Sequence, residues 1–139
     1  MEKIKCILLV DDDPTTNFVN ETLLEDLQVS EQVLIAYNGK EALKLIQNEC
    51  ESDLCPELIL LDINMPVMNG FEFLKAYQRL EFAHKQSVVI VMLTTSLNPG
   101  DIKQIDELPL KIKGFLNKPL TEQMVRNLFQ KHFHRDLPI

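Results

Sequence analysis

Acidic, hydroxyl and lysine side chains follow four apolar segments of this 139-residue chain. The four polar segments are Asp11-Asp12-Asp13, Asp62, Thr94-Thr95-Ser96 and Asn117-Lys118-Pro119. Asp62 directly ends an apolar run and precedes a turn sequence that contains Asn64, Pro66 and Gly70. One aspartate at the end of a strand is common, because strands often end where the chain turns. Four such segments together indicate a shared site.

Carboxylates, a hydroxyl and an ammonium group around one point favour phosphoryl transfer with a divalent cation. Two carboxylates about 4 Å apart repel by about 4 kcal/mol at an effective dielectric of about 20, so Asp11, Asp12 and Asp62 together would need a cation. Oxygen ligands without histidine or cysteine indicate Mg²⁺. The cation, Lys118 and Thr94 could stabilise the charge on a transferred phosphoryl group. An aspartate can be the nucleophile, and the residues alone leave open which one.

The pattern between these segments predicts how they come together. The runs that suit buried strands are Ile4–Val10, Val33–Ala36, Leu58–Leu61, Val88–Leu93 and Gly114–Leu116. Helical patterns lie between them, and two begin with a cap and a proline, at Asp13-Pro14 and Asn98-Pro99. Alternating apolar strands and helices predict an α/β fold with a doubly wound parallel sheet. Ligands of such a sheet bind outside the carboxyl ends of the strands, where the polar segments lie.

The spacing of apolar residues predicts which helix faces are buried. In the first helix, Val19, Leu23 and Leu27 recur every four residues and are expected to face the core. The last helix is expected to begin near Thr121, and Pro109 is expected to end the fourth.

Composition limits the class of protein. A net charge of -7 and a pI near 4.9 argue against binding nucleic acid, which needs a basic surface. No apolar run is long enough to cross a membrane, and the N-terminus does not resemble a signal peptide, so we expect a cytoplasmic protein. An odd number of cysteines without a zinc spacing predicts that Cys6, Cys50 and Cys55 are free thiols.

Four motifs, in this order, resemble the receiver domain of bacterial two-component response regulators. They read ILLVDDDP, LILLDINMPVMNGFEFL, VMLTTS and GFLNKPLT, and the resemblance covers about residues 3–133. It implies a flavodoxin-like fold of five β-α units with strand order 2-1-3-4-5. It further implies one receiver domain over residues 1–139, without an output domain.

The resemblance also implies a role for each site residue. Asp62 would be the phosphoacceptor, and Asp11 and Asp12 the acidic pair. With Asp62 and the main-chain oxygen of Asn64, the acidic pair would form the Mg²⁺ site. The other implied roles are the switch hydroxyl at Thr94, the phosphate-binding lysine at Lys118 and the switch aromatic at Phe115. The Lys118-Pro119 bond is expected to be cis, as in the family and because only X-Pro bonds adopt this form at low cost.

Two residues depart from the family pattern. Phe115 lacks the hydroxyl of a tyrosine, so any signal from it depends on burial of the ring alone, and Thr95 is bulkier than the usual alanine.

The expected partners are a histidine kinase or phosphotransfer protein and a downstream protein, bound by the face of helix four, strand five and helix five, including Lys103, Lys111 and Lys113. The chain is expected to be a monomer or weak dimer, and not an enzyme beyond its own phosphorylation and dephosphorylation. Replacing Lys118 by Met is expected to leave the unbound protein at least as stable.

Two alternative functions remain open. Asp11-x-Asp13-x-Thr15 also fits the nucleophile motif of haloacid-dehalogenase-like phosphatases, with Asp11 as nucleophile and Asp13 as general acid. That reading leaves Asp62 unexplained. The other alternative is a receiver that binds partners without being phosphorylated, although such proteins usually lack one of the acidic or lysine residues that this chain retains.

Overall fold

Strands and helices alternate along the chain, as the sequence predicts. The computed structural model describes residues 3–51, 55–82, 85–95, 98–108 and 112–134. The strands are β1 (Ile4–Val10), β2 (Ser30–Ala36), β3 (Leu58–Leu61), β4 (Val89–Thr94) and β5 (Gly114–Asn117). The helices are α1 (Pro14–Leu27), α2 (Gly39–Glu49), α3 (Gly70–Tyr77), α4 (Pro99–Asp106) and α5 (Glu122–Phe133). A 3-10 helix spans Lys85–Ser87.

The five strands form one parallel sheet in the order β2-β1-β3-β4-β5. This order confirms the predicted doubly wound topology, which places the carboxyl ends of β1 and β3 side by side at the centre. Two separate clusters of buried apolar side chains are present, and residues from alternating positions of β1 and β3 contribute to each. Side chains of successive strand residues point to opposite faces, so the sheet is buried on both.

Side-chain caps fix where the helices begin. Asp13 and Asn98 cap α1 and α4, each followed by proline, as predicted. Asn69 and Glu72 form a capping box at α3, and Thr121 caps α5. The caps matter for the site because α1 begins directly after Asp13 and α3 begins at the end of the loop that follows Asp62.

The buried face of α1 differs from the prediction. Val19 is 52% exposed, whereas Asn17, Asn20 and Leu24 are buried. The expected spacing of four residues followed the apolar side chains, but the helix turns two asparagines toward the sheet. Leu23 packs only at the edge of the core.

The expectation of three free thiols is wrong. Cys50 and Cys55 form a disulfide that closes the connection between α2 and β3, with Cα atoms 4.2 Å apart. Cys50 caps the C-terminus of α2, and β3 begins soon after Cys55, so the fold brings the two thiols together. Cys6 remains a free cysteine in the core, where burial raises the pKa of its thiol to about 12. Cysteine use therefore no longer supports the expected reducing compartment.

Alkylation should separate these two classes of cysteine. A thiol reagent added to the native oxidised protein is expected to leave all three cysteines unmodified, because Cys6 is buried as a neutral thiol. After mild reduction, intact mass is expected to show modification of Cys50 and Cys55 alone. Modification of Cys50 without prior reduction would contradict the disulfide, and a denatured sample supplies the full count as a control.

Some sequence expectations fall outside the described residues, namely those on Ser96, Pro109 and Lys111. The cis Lys118-Pro119 bond is confirmed. Within the described ranges, no helix combines the length and apolar character needed to cross a membrane.

Candidate functional site

The central strands bring two of the predicted carboxylates together. Val10 pairs with Leu61 across β1 and β3, so Asp11 and Asp62 leave the sheet at adjacent positions. The Asp62 N–H donates to the main-chain oxygen of Val10 at 2.9 Å, which continues the ladder by one residue. Both aspartates are buried. The pairing of the strands therefore fixes the spacing of the two carboxylates.

Lys118 lies between these carboxylates. Its Nζ is 2.5 Å from Asp11 Oδ2 and 3.3 Å from Asp62 Oδ2. Its main-chain N–H donates to the Thr94 oxygen at 2.8 Å, which ties the end of β5 to the end of β4. Lys118 therefore connects the ends of β1, β3, β4 and β5, which are far apart in sequence.

The third carboxylate completes an acidic cluster. One oxygen from each of Asp11, Asp12 and Asp62 lies within 4.8 Å of the others, and Asp12 is exposed to solvent. A single ammonium group cannot offset three carboxylates, so the cluster retains negative charge. Hard oxygen donors at this separation fit Mg²⁺, which prefers one or two carboxylates together with water and phosphate oxygens.

Asp13 does not belong to this cluster. Its carboxylate accepts from the Thr15 N–H at 3.2 Å and the Thr16 hydroxyl at 2.6 Å. These bonds, the Thr16 hydroxyl foremost, lower the pKa of Asp13. It acts as the cap of α1, as the sequence predicts.

The charges of the site shift its pKa values. Burial raises the pKa of Asp62, and the negative charge of Asp11 adds to this, while Lys118 opposes it. For Lys118, burial lowers the pKa, but the hydrogen bond to Asp11 and the charge of Asp62 outweigh burial and raise it overall. Lys118 is therefore held as a cation, and its positive charge only partly offsets the effects of burial and of Asp11 on the Asp62 carboxylate.

The loop after β3 brings main-chain groups close to Asp62. A Cβ atom on Gly70 would lie 2.5 Å from the main-chain oxygen of Asp62, so only glycine fits there. The Gly70 N–H donates to the Ile63 oxygen at 2.8 Å and closes the turn. Asn64 is exposed within this loop. The loop sequence thus serves close packing against the strand end.

The two predicted switch residues lie on the neighbouring strands. Thr94 ends β4 and is 1% exposed. Phe115 on β5 pairs with Met92 and is half-buried against the second core cluster. Contacts and distances link Asp11, Asp12, Asp62 and Lys118 directly, whereas Thr94 is linked through its main chain.

Sequence reasoning missed two asparagines next to the site. Asn17 Nδ2 donates to the main-chain oxygen of Asp11 at 2.8 Å, and Asn17 and Asn20 line a small cavity with Asp11 and Asp62. The signal was present in the sequence, because Asn17, Asn20 and Leu24 have helical spacing. Only the apolar residues were used to place the face.

The whole domain matches a known family. The family model of the response regulator receiver domain matches residues 7–130 of this chain. The chain belongs to this family. The receiver is 32% identical to two-component response regulator 24 of Arabidopsis thaliana over 89% of this chain and 81% of that protein. It is 33% identical to response regulator Rre1 of Synechocystis over 90% of this chain and 52% of that protein.

Solved structures agree with the fold of this receiver. A two-component response regulator from Cytophaga hutchinsonii superposes with a TM-score of 0.84 at 28% identity, covering 96% of this chain and all of that one. One from Legionella pneumophila gives 0.78 at 29% identity, with the same coverage.

Several curated relatives are much longer than this receiver. The chain spans 7% of hybrid signal transduction histidine kinase B of Dictyostelium discoideum. It spans 29% of a protein-glutamate methylesterase of Methanococcoides burtonii. The relatives that contain a matching segment therefore include a histidine kinase and a methylesterase.

Proposed function

We propose that this receiver accepts a phosphoryl group on Asp62 from a histidine kinase or a histidine phosphotransfer protein. The observation that carries the proposal is the placement of Lys118 between Asp11 and Asp62, beside the three-carboxylate cluster. A buried carboxylate flanked by a fixed cation and further acidic ligands suits transfer of a phosphoryl group better than structural support. The resemblance of the motif LILLDINMPVMNGFEFL to the family pattern supports the same role for Asp62.

The nucleophile in this mechanism is the Asp62 carboxylate. Its Oδ1 accepts the Ile63 N–H at 2.8 Å, and its Oδ2 faces Lys118. One oxygen forms a bond to phosphorus as the bond between phosphorus and the donor breaks, and the donor leaves with the electron pair. Because Lys118 is held protonated, it can stabilise a phosphoryl oxygen. Thr94 would donate its hydroxyl to another.

The carboxylates of Asp12 and Asp62 and the main-chain oxygen of Asn64 would hold the metal, with Asp11 supporting the site. Mg²⁺ would supply positive charge next to the transferred group and offset the clustered carboxylates.

Removal of Mg²⁺ with a chelator should therefore abolish labelling. The direct test is incubation with acetyl phosphate, with Mg²⁺ or with EDTA, followed by intact mass. Addition of one phosphoryl group only with Mg²⁺ supports the proposal. No addition in either sample contradicts it and would leave a receiver that only binds partners.

Asp12 and its neighbour Asp13 offer a matched pair for the metal site. Asp12→Ala is expected to weaken Mg²⁺ binding by about 10-fold or more, because a ligand is lost. Asp13→Asn should leave Mg²⁺ affinity almost unchanged, since that carboxylate caps α1 and asparagine is also a good cap. Calorimetric titration of both variants measures this. Unchanged affinity in Asp12→Ala would remove Asp12 from the site.

We further infer that phosphorylation changes the face formed by α4, β5 and α5. Thr94 is buried at the end of β4, directly beside β5, and Phe115 is only half-buried. Movement of Thr94 toward the phosphoryl group would leave space that the Phe115 ring can fill. Full burial of the ring adds at most about 2 kcal/mol, enough to shift two states of similar free energy. Lys103 and Lys113 are exposed on this face.

Chemical shifts with and without beryllofluoride and Mg²⁺ test this output. Changes are expected in the loops around Asp62 and also at Phe115 and along α4. The Asp62→Asn protein is the control and should show neither. Changes confined to the loops would contradict the switch while leaving phosphorylation intact.

The structure does not favour the phosphatase alternative. Asp13 would have to donate a proton as general acid, yet its carboxylate is exposed, bonded to Thr15 and Thr16, and has a lowered pKa. We propose a role in signalling with a protein target, in the cytoplasm despite the Cys50–Cys55 disulfide, and as a monomer or weak dimer.

A further inference from the structure

Two asparagines occupy core positions of α1 where leucine would pack. Asn17 is 1% exposed and Asn20 is 4% exposed. A buried amide is unfavourable unless its polar atoms find hydrogen-bond partners. Their presence beside the acidic cluster therefore indicates a task that an apolar side chain cannot perform.

The amide of Asn17 fixes the main chain of the acidic pair. Its Nδ2 donates to the Asp11 carbonyl oxygen, and since that oxygen can only accept, the orientation of the amide is determined. The Asp11 N–H donates to Ala36 and the Asp11 carboxylate is bonded to Lys118 and the Asp13 N–H. Asn17 thus secures the peptide plane between Asp11 and Asp12, which sets the direction of the exposed Asp12 carboxylate.

Asn17 also lines a small cavity beside the two buried carboxylates. Asn17 Oδ1 is buried and has no hydrogen-bond partner among the residues that the structure describes. The cavity has a volume of about 10 Å³ and is lined by four apolar strand residues together with Asp11, Asn17, Asn20 and Asp62. This is about the space that one water molecule needs. A water there can donate to Oδ1, which neither carboxylate can do while ionised.

We propose that Asn17 is a positioning residue for the acidic pair and that its free oxygen holds one ordered water behind Asp11 and Asp62. The role in metal binding rests on the proposed function, because it assumes that Asp12 is directed toward Mg²⁺. Side chains that orient metal ligands are often nearly as important for metal affinity as the ligands themselves.

Asn17→Leu is the main test, because leucine has the same number and branching of side-chain heavy atoms as asparagine but no polar atoms. We expect it to remain folded, with a melting temperature at or above that of the wild type, and to bind Mg²⁺ about 10-fold more weakly. Ser30→Ala is the matched control, since Ser30 Oγ is another buried oxygen that has no hydrogen-bond partner in the described part of the chain. It lies at the start of β2, at the opposite end of the sheet from the carboxylates, and its Mg²⁺ affinity should not change. An Asn17→Leu protein that binds Mg²⁺ like the wild type overturns the positioning role.

A high-resolution crystal structure of the wild type tests the water directly and does not depend on any variant folding. A density peak within hydrogen-bond distance of Asn17 Oδ1 is expected, and an empty cavity overturns the water site. Should Asn17→Leu not fold, Asn17→Ser is titrated instead, with the same expected loss and the same contradicting result. Labelling of wild-type Asp62 by acetyl phosphate is measured in parallel. If wild-type Asp62 is labelled but the Asn17 variants bind Mg²⁺ like the wild type, this inference alone is refuted. If wild-type Asp62 is not labelled, the proposed function is refuted.

Discussion

Lys118→Met is expected to lower the free energy of unfolding by about 3 kcal/mol in Mg²⁺-free buffer at neutral pH. The side chain of Lys118 is 13% exposed and pairs with two buried carboxylates. Its loss leaves Asp11 and Asp62 close together without compensation. This prediction reverses the sign expected from the sequence, because the structure pairs Lys118 with both buried carboxylates.

Chemical denaturation at several pH values measures this loss. Without Lys118, the pKa of Asp62 should rise further, so the destabilisation should grow as pH rises through that pKa and shrink in acid. Adding Mg²⁺ should restore part of the stability. Lys113→Met is the control, because that lysine is exposed, and a change below about 0.5 kcal/mol is expected. A Lys118→Met protein as stable as the wild type would show that the ion pairs contribute nothing.

Asp62→Asn is expected to abolish labelling by acetyl phosphate while the fold is kept. Asparagine has the size of aspartate and can still accept the Ile63 N–H, but its amide is not a nucleophile. We also expect it to stabilise the unlabelled protein by about 1 kcal/mol at neutral pH, because most of the roughly 4 kcal/mol of repulsion between close carboxylates is offset by Lys118.

The sign follows from the raised pKa of Asp62. Stability associated with the protonated carboxyl is fully present below the unfolded pKa of about 3.9 and is lost as pH rises through the folded pKa. The advantage of Asp62→Asn should therefore vanish in acid and appear as pH increases. Lys113→Met, an exposed change just before β5 and away from the site, serves as the control for labelling. Asp62→Asn protein that is labelled as well as the wild type would place the nucleophile elsewhere.

Much of the fold was predictable because the positions of the strands follow from local runs of apolar residues. β1 and β3 have the predicted bounds, since both are central and apolar throughout. β2 begins at Ser30 rather than Val33 because it is an edge strand. Its first residues pair through the main chain with β1, and this pairing does not require apolar side chains. The pattern of apolar residues alone misses such an extension.

The site was predictable in its residues but not in its supporting contacts. The strand ends specified Asp11, Asp62 and Lys118 because parallel strands share one edge for their carboxyl ends. The buried role of Asn17 was missed, since an amide in a helix is usually assigned to the surface. The Cys50–Cys55 disulfide was missed because spacing alone does not show that the fold brings the two Cα atoms within 4.2 Å of each other.

The central claim is that Asp62 carries the phosphoryl group, and mapping the modified residue tests it most directly. Protein labelled with acetyl phosphate and Mg²⁺ is treated with borohydride, which reduces the acyl phosphate, and is then digested and sequenced by mass spectrometry. We predict reduction at Asp62 alone, with Asp11 and Asp12 unmodified. Modification at Asp11 would contradict this account and would favour the phosphatase-like alternative.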